Sequence, residues 1–173
     1  DQHVMEAVAK AALDPENYKY SLTELPRLTK AVQDWYIRRF GVELTREEIT
    51  SVYGSQEGIA HIAMALCDPG EIILVPSPCY PIFSIGPALC GARVEYYKLD
   101  PANDWQPDLD GIDPEIAKAA KAIIVSFPNN PTCSVLPDSF YHKLIEFANK
   151  YEIIVIHDNA YSEIYFDGNK PGS

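Results

Sequence analysis

Four short stretches carry the side chains from which a polar site could be assembled. Asp158 and Tyr161 sit in His157-Asp158-Asn159-Ala160-Tyr161, just after the apolar run 153–156. Asn130 sits in Asn129-Asn130-Pro131-Thr132, just after a second apolar run, 122–127. Short runs rich in β-branched residues read as strands buried on both faces. In open α/β sheets, ligands bind past the carboxyl ends of such strands. Gly54-Ser55-Gln56-Glu57-Gly58 joins a strand to a helix start, where free backbone N–H groups and the helix dipole favour an anion. Tyr80 stands between Pro78 and Pro81, in a rigid loop that would fix its aromatic face. Each stretch also has a plainer reading. Ser55 caps a turn, Tyr80 packs under a loop, Asn130-Pro131 forms a turn, and Asp158 caps the turn holding Tyr161. Both kinds of reading stay open for each residue taken singly.

The elements that must position these residues follow from periodicity. Val4, Ala7, Val8 and Ala11 form one face of a helix ended by Asp14-Pro15. A polar, aromatic loop over residues 16–21 leads to a helix from Pro26, with Leu28, Ala31, Val32 and Trp35 on one face and Gly41 after its end. Residues 49–53 read as a short strand. The helix after Gly54 carries Ile59, Ile62, Ala63 and Leu66, and Asp68-Pro69-Gly70 closes it. Strand 72–75, helix 83–89 and strand 93–97 follow, and residues 98–111 are turn-rich. Asp113-Pro114 reads as an N-cap with proline at the first helical position. Strand 122–127, helix 139–149 (face Tyr141, Leu144, Ile145, Ala148) and strand 153–156 complete the chain. Alternating strands and helices of this kind predict an α/β fold, a three-layer αβα sandwich with a mostly parallel sheet.

Composition narrows the function classes. At 47% hydrophobic and 11% aromatic residues, the 173-residue chain can bury a core. A formal net charge of −11 argues against nucleic acid, which is bound by neutralising phosphates with Lys and Arg. No apolar run approaches a membrane span, and no secretory signal is visible, so a cytoplasmic protein is expected. Cys67, Cys79, Cys90 and Cys133 show no C-x-x-C spacing and no nearby His, so reduced thiols and no metal are expected.

Taken together, GSQEG at a helix start, SPCYP after the next strand, NNPT after a later one and DNAY after the last resemble the large domain of fold-type I pyridoxal-phosphate (PLP) enzymes, in the class I/II aminotransferase family. The resemblance runs from the first helix to about Phe166. It implies that residues 1–45 are an N-terminal helical segment and intersubunit loop, and that 46–173 are part of the PLP-binding large domain. Asp158 would pair with the pyridine nitrogen, Asn130 and Tyr161 would bond the phenolic oxygen, and Tyr80 would stack on the ring. Gly54, Ser55 and Gln56 would hold the phosphate. Tyr20 would reach the phosphate of a neighbouring subunit, implying a homodimer that acts on an amino acid and a 2-oxo acid.

The chain departs from the family pattern at several points. The family's Schiff-base lysine lies beyond the DNAY stretch, and none of the nine lysines here has its setting, so the catalytic lysine and the small domain are expected to be absent and the chain alone inactive. Cys133 stands where the family usually has glycine, and Glu24 stands near the place of another. Two alternatives share the chain's features: a PLP-dependent C–S β-lyase on the same scaffold, and a non-catalytic regulatory or ligand-binding module. Losing later strands would leave an exposed sheet edge, so self-association is expected.

Overall fold

The computed structural model describes all 173 residues, which divide into two compact units, Asp1–Ser51 and Val52–Ser173. The first unit holds helix α1 (Gln2–Ala12), a 3-10 turn over Pro15–Tyr18 and helix α2 (Pro26–Phe40). Pro26 opens α2 where a missing N–H costs nothing, and Gly41 closes it at φ +68°. Thr29 is the only buried residue of this unit, and Val4, Met5, Val8 and Leu13 are all exposed.

Residues 49–53 do not form the strand their sequence suggests. Their donors have other acceptors. The Ser51 N–H and the hydroxyls of Thr50 and Ser51 donate to the Glu24 carboxylate at 2.9–3.3 Å, joined there by the Arg46 guanidinium at 3.3 Å. These bonds, led by the Ser51 amide, hold the Glu24 carboxyl down at about 2. In the second unit the Tyr53 N–H donates to Glu57 in the same way.

The second unit is built around a five-stranded sheet. Its elements in chain order are α3 (Ser55–Leu66), β1 (Ile72–Ser77), α4 (Ile82–Leu89), β2 (Arg93–Asp100), β3 (Gln106–Pro107), α5 (Pro114–Ala119), β4 (Ala120–Val125), α6 (Asp138–Tyr151) and β5 (Ile154–His157). The strand order is β3-β2-β1-β4-β5, parallel throughout except for the short β2–β3 pair. β2 extends three residues past its expected end before the turns begin, and Asp113 caps α5 through the Glu115 N–H as its sequence predicts.

Burial alternates with the pleat. Ile73 and Val75 of β1 and Ala122 and Ile124 of β4 face α3 and α4, packing with Ile59, Ala63 and Phe83. Ile72, Leu74, Ile123 and Val125 face the other way, onto Phe140 and Leu144 of α6. The three-layer sandwich is therefore as expected. α4 meets α3 at Gly86, where a Cβ would sit 3.0 Å from the Ala60 Cα, so a side chain here would push the two helices apart by a few tenths of an ångström.

The buried stripe of α6 is Phe140, Leu144 and Ala148, whereas Ile145 is 55% exposed. Ile62 of α3 likewise lies outside the core, at 37% exposure. β5 is not buried on both faces: β4 is its only sheet neighbour, and Ile154 is 49% exposed. Order β3-β2-β1-β4-β5 means that the chain leaves β1 in one direction for β2, then crosses back to the other side of β1 for β4. The crevice between the carboxyl ends of β1 and β4 is thus the topological switch point, where open α/β sheets bind their ligands.

Candidate active site

Because β1, β4 and β5 are parallel neighbours, their carboxyl ends share one edge of the sheet. α3 runs back against β1, which places its N-terminus at that same edge. Each of these ends carries one of the chemically suggestive stretches.

At the start of α3, Gly54 is the N-cap with φ +90° and ψ 151°, a conformation reserved for glycine, and no heavy atom lies within 4 Å of where its Cβ would be. Ser55 is therefore not the cap but the first helical residue, and no side chain caps this helix end. The first-turn amides of Ser55 and Gln56 have no acceptor inside the helix. A phosphate is the ligand such an end takes.

After β1, the Tyr80 ring stands edge-on to Phe83 at 6.2 Å between centroids, with Phe83 fully buried. Its hydroxyl receives a hydrogen bond from Gln56 Nε2, joining the β1 loop to the start of α3.

After β4, Asn129 organises the turn. It is 2% exposed, its Nδ2 donates to the Ser126 carbonyl at 3.2 Å, and its Oδ1 accepts from the Thr132 N–H at 3.2 Å and the Thr132 hydroxyl at 2.9 Å. The Cys133 N–H donates to the Asn129 carbonyl at 2.8 Å, closing the turn with Cys133 at φ +59°. Glycine is the residue such a left-handed position favours. With Asn129 occupied structurally, Asn130 is the half-buried member of the pair whose side-chain amide remains available.

After β5, the Asp158 N–H continues the ladder by donating to the Val125 carbonyl at 2.9 Å. Its carboxylate is half-buried, and burial alone pushes its pKa above the usual carboxylate value, because no cation stands beside it. The neighbouring Asn159 has a buried Oδ1 with no donor. Tyr161 meets Asn130 across a cleft of about 560 Å³ walled by Cys133, Val135, Ile164 and Tyr165.

The structure thus joins Gln56 to Tyr80 directly, brings Asn130 and Tyr161 to one cleft, and sets Asp158 on the same sheet edge. Tyr20 belongs to the first unit and is 95% exposed. Sequence reasoning missed Asn129 and Asn159. The doubled asparagine was the available signal for the first, since only one of two adjacent side chains can turn into the loop it stabilises. An uncapped helix start, a carboxylate without a cation, an aromatic ring and two free donors are a donor set that fits a phosphorylated, protonated heteroaromatic ring.

A parallel αβα sheet with this edge defines the class: it is the fold of the PLP-dependent aminotransferases. The chain belongs to the aminotransferase class I and II family, which matches residues 1–172. It is 43% identical over 173 residues to the LL-diaminopimelate aminotransferase of Moorella thermoacetica, covering 99% of this chain and 44% of that protein. It is 44% identical over 172 residues to the enzyme of the same name from Aquifex aeolicus, covering 98% of this chain and 44% of that protein. Among solved structures, substrate-bound BacF from Bacillus subtilis superposes with a TM-score of 0.90 at 35% identity, covering 100% of this chain and 44% of that one. The alanine aminotransferase of Pyrococcus furiosus gives a TM-score of 0.88 at 34% identity, covering 99% and 44%. The chain spans less than half the length of these relatives.

Proposed function

We propose that these residues form the cofactor-binding part of an aminotransferase that moves an amino group between an amino acid and a 2-oxo acid. LL-diaminopimelate is the first amino acid to test, since relatives at 43–44% identity carry its name. One observation carries the reading: the uncapped start of α3, the Tyr80 loop, Asn130 and the unpaired Asp158 carboxylate all lie along one edge of the sheet.

PLP, when bound, supplies an electron sink for bonds to the α-carbon of the amino acid. The residues of this chain bind and orient it. Asp158 holds the proton on the pyridine nitrogen, and that positive charge is the partner its buried carboxylate lacks. Asn130 and Tyr161 donate to the phenolic oxygen. Gly54, Ser55 and Gln56 hold the phosphate through the start of α3, and Tyr80 lays its ring against the cofactor. The cleft walled by Asn130 and Tyr161 has no lysine in its lining. Elsewhere, Lys118 and Lys121 pair with Glu115 and Glu71 at 2.6 and 2.9 Å, and Lys170 pairs with Glu163 at 3.1 Å. We assign the covalent lysine to the part of the relatives' length that this chain does not span.

Residues 1–45 are read as the N-terminal helical segment and intersubunit loop, and 46–173 as part of the PLP-binding domain. A homodimer is supported by the first unit itself, which buries only Thr29 and leaves the apolar face of α1 uncovered. Tyr20 is exposed enough to reach a neighbour's phosphate. Four free cysteines suit the reducing cytoplasm.

The complete polypeptide bearing these residues, supplied with PLP, LL-diaminopimelate and 2-oxoglutarate, should form glutamate. Pyruvate and ammonia released from cystathionine without a 2-oxo acid would instead mark a C–S β-lyase, and no turnover of either would mark a binding module. The relatives are named as aminotransferases, which favours transfer.

A further inference from the structure

We infer that the Tyr80 hydroxyl is itself a ligand of the cofactor's phosphate, set in place by Gln56. The inference rests on the reading that this sheet edge holds PLP, and it gives Tyr80 a second role beyond its ring. Gln56 is the second residue of α3, and its Nε2 donates to the Tyr80 hydroxyl, 24 residues further along the chain. The ring also stands edge-on to the fully buried Phe83. The phenol is therefore positioned through both its hydroxyl and its ring, with its oxygen within one glutamine side chain of the uncapped amides of Ser55 and Gln56.

Proton accounting shows what the pair offers. A phenol has one O–H to give, and a hydroxyl that accepts from Gln56 keeps that proton for another acceptor. Gln56 keeps its second N–H as well. With the amide turned over, the phenol would give its proton to Oε1 and both N–H groups of Gln56 would be free. In either orientation the pair retains donors beside the helix start. Glu57, the acid in the first turn, is engaged by the Tyr53 N–H and does not cap these amides. Gly54 leaves open space on the side where its Cβ would be. An anion in that space would find backbone N–H groups, the helix dipole and the Tyr80–Gln56 donors together.

The test is calorimetric titration with pyridoxine 5′-phosphate and with pyridoxine, which lack the aldehyde and so avoid stray reaction with lysines. The wild-type protein should bind the phosphate ester more tightly than the alcohol. Tyr80→Phe keeps the ring and should weaken the ester about tenfold, the loss of one hydrogen bond to a charged group, while leaving pyridoxine unchanged. Gln56→Glu, a second variant that keeps the contact to Tyr80 but adds negative charge, should show the same selective loss. Equal affinities in wild type and Tyr80→Phe, or equal losses for both ligands, would overturn the inference while leaving the cofactor reading in place. A wild-type protein with no preference for the ester would overturn both.

Discussion

The Tyr97 hydroxyl donates to the Ile124 carbonyl at 2.6 Å, so a side chain of β2 reaches across β1 to the backbone of β4. Tyr97 is 3% exposed, and burial lifts its phenol well above the usual range, so it stays a neutral donor. The bond ties together the strands on both sides of the switch point. Tyr97→Phe should cost about 1–3 kcal/mol, the range for a buried polar group losing its partner. Urea unfolding measures this directly, and an unchanged midpoint would show that the bond contributes nothing.

Cys133 occupies a glycine-favouring conformation at φ +59° in the turn that presents Asn130. Cys133→Gly should relieve a left-handed penalty of about 1–2 kcal/mol. The greater freedom of glycine in the unfolded chain returns part of that, leaving a net gain of about 0.5 kcal/mol. Cys133→Ala should show no such gain. A matching gain in the alanine variant would point to the thiol rather than the backbone as the source.

Asp158 is a carboxylate whose pKa is raised in the fold. The folded protein therefore binds more protons than the unfolded chain just above the ordinary carboxylate pKa, and stability falls as pH rises through that window. Asp158→Asn should raise the melting temperature of the ligand-free protein at pH 7, with the advantage vanishing near pH 3. The same change should weaken pyridoxine 5′-phosphate binding by about a hundredfold, because a neutral amide offers an acceptor but no negative charge to hold the pyridine nitrogen protonated. Thermal scans and titrations on one sample set check both, and a variant that lost stability at pH 7 would contradict the sign.

Glu24 gives the opposite dependence. Its carboxyl is held down at about 2, chiefly by the Ser51 N–H, so its contribution is complete above the ordinary carboxylate pKa and lost as pH falls towards 2. Glu24→Gln should lower the melting temperature at pH 7, and the difference should shrink as the pH is lowered. A difference that stays constant with pH would mean that charge has no part in the clamp.

The sheet was legible in the sequence because the apolar runs of β4 and β5 stop abruptly at Pro128-Asn129 and His157-Asp158, a local signal that also puts Asn130 and Asp158 just past strand ends. Other features depended on distant partners. Residues 49–53 look like a strand until Glu24, 27 residues away from Ser51, takes their donors. β5 has the composition of a buried strand, but burial depends on its neighbours, and β4 is its only one. In α6, Phe140, Tyr141, Leu144, Ile145 and Ala148 offer two overlapping apolar stripes, and only the position of the sheet chooses between Phe140 and Ile145. The Gln56–Tyr80 bond was likewise beyond reach, because nothing local marks a contact between residues 24 positions apart.

The proposed function stands or falls on the pairing of Asp158 with the cofactor, and a crystal structure of the protein with PLP decides it. In that structure the pyridine nitrogen should lie against the Asp158 carboxylate at about 2.7–2.9 Å, with the phosphate on the amides of Ser55 and Gln56 and the phenolic oxygen at Asn130 and Tyr161. A cofactor lodged elsewhere, with Asp158 still unpaired, would contradict it.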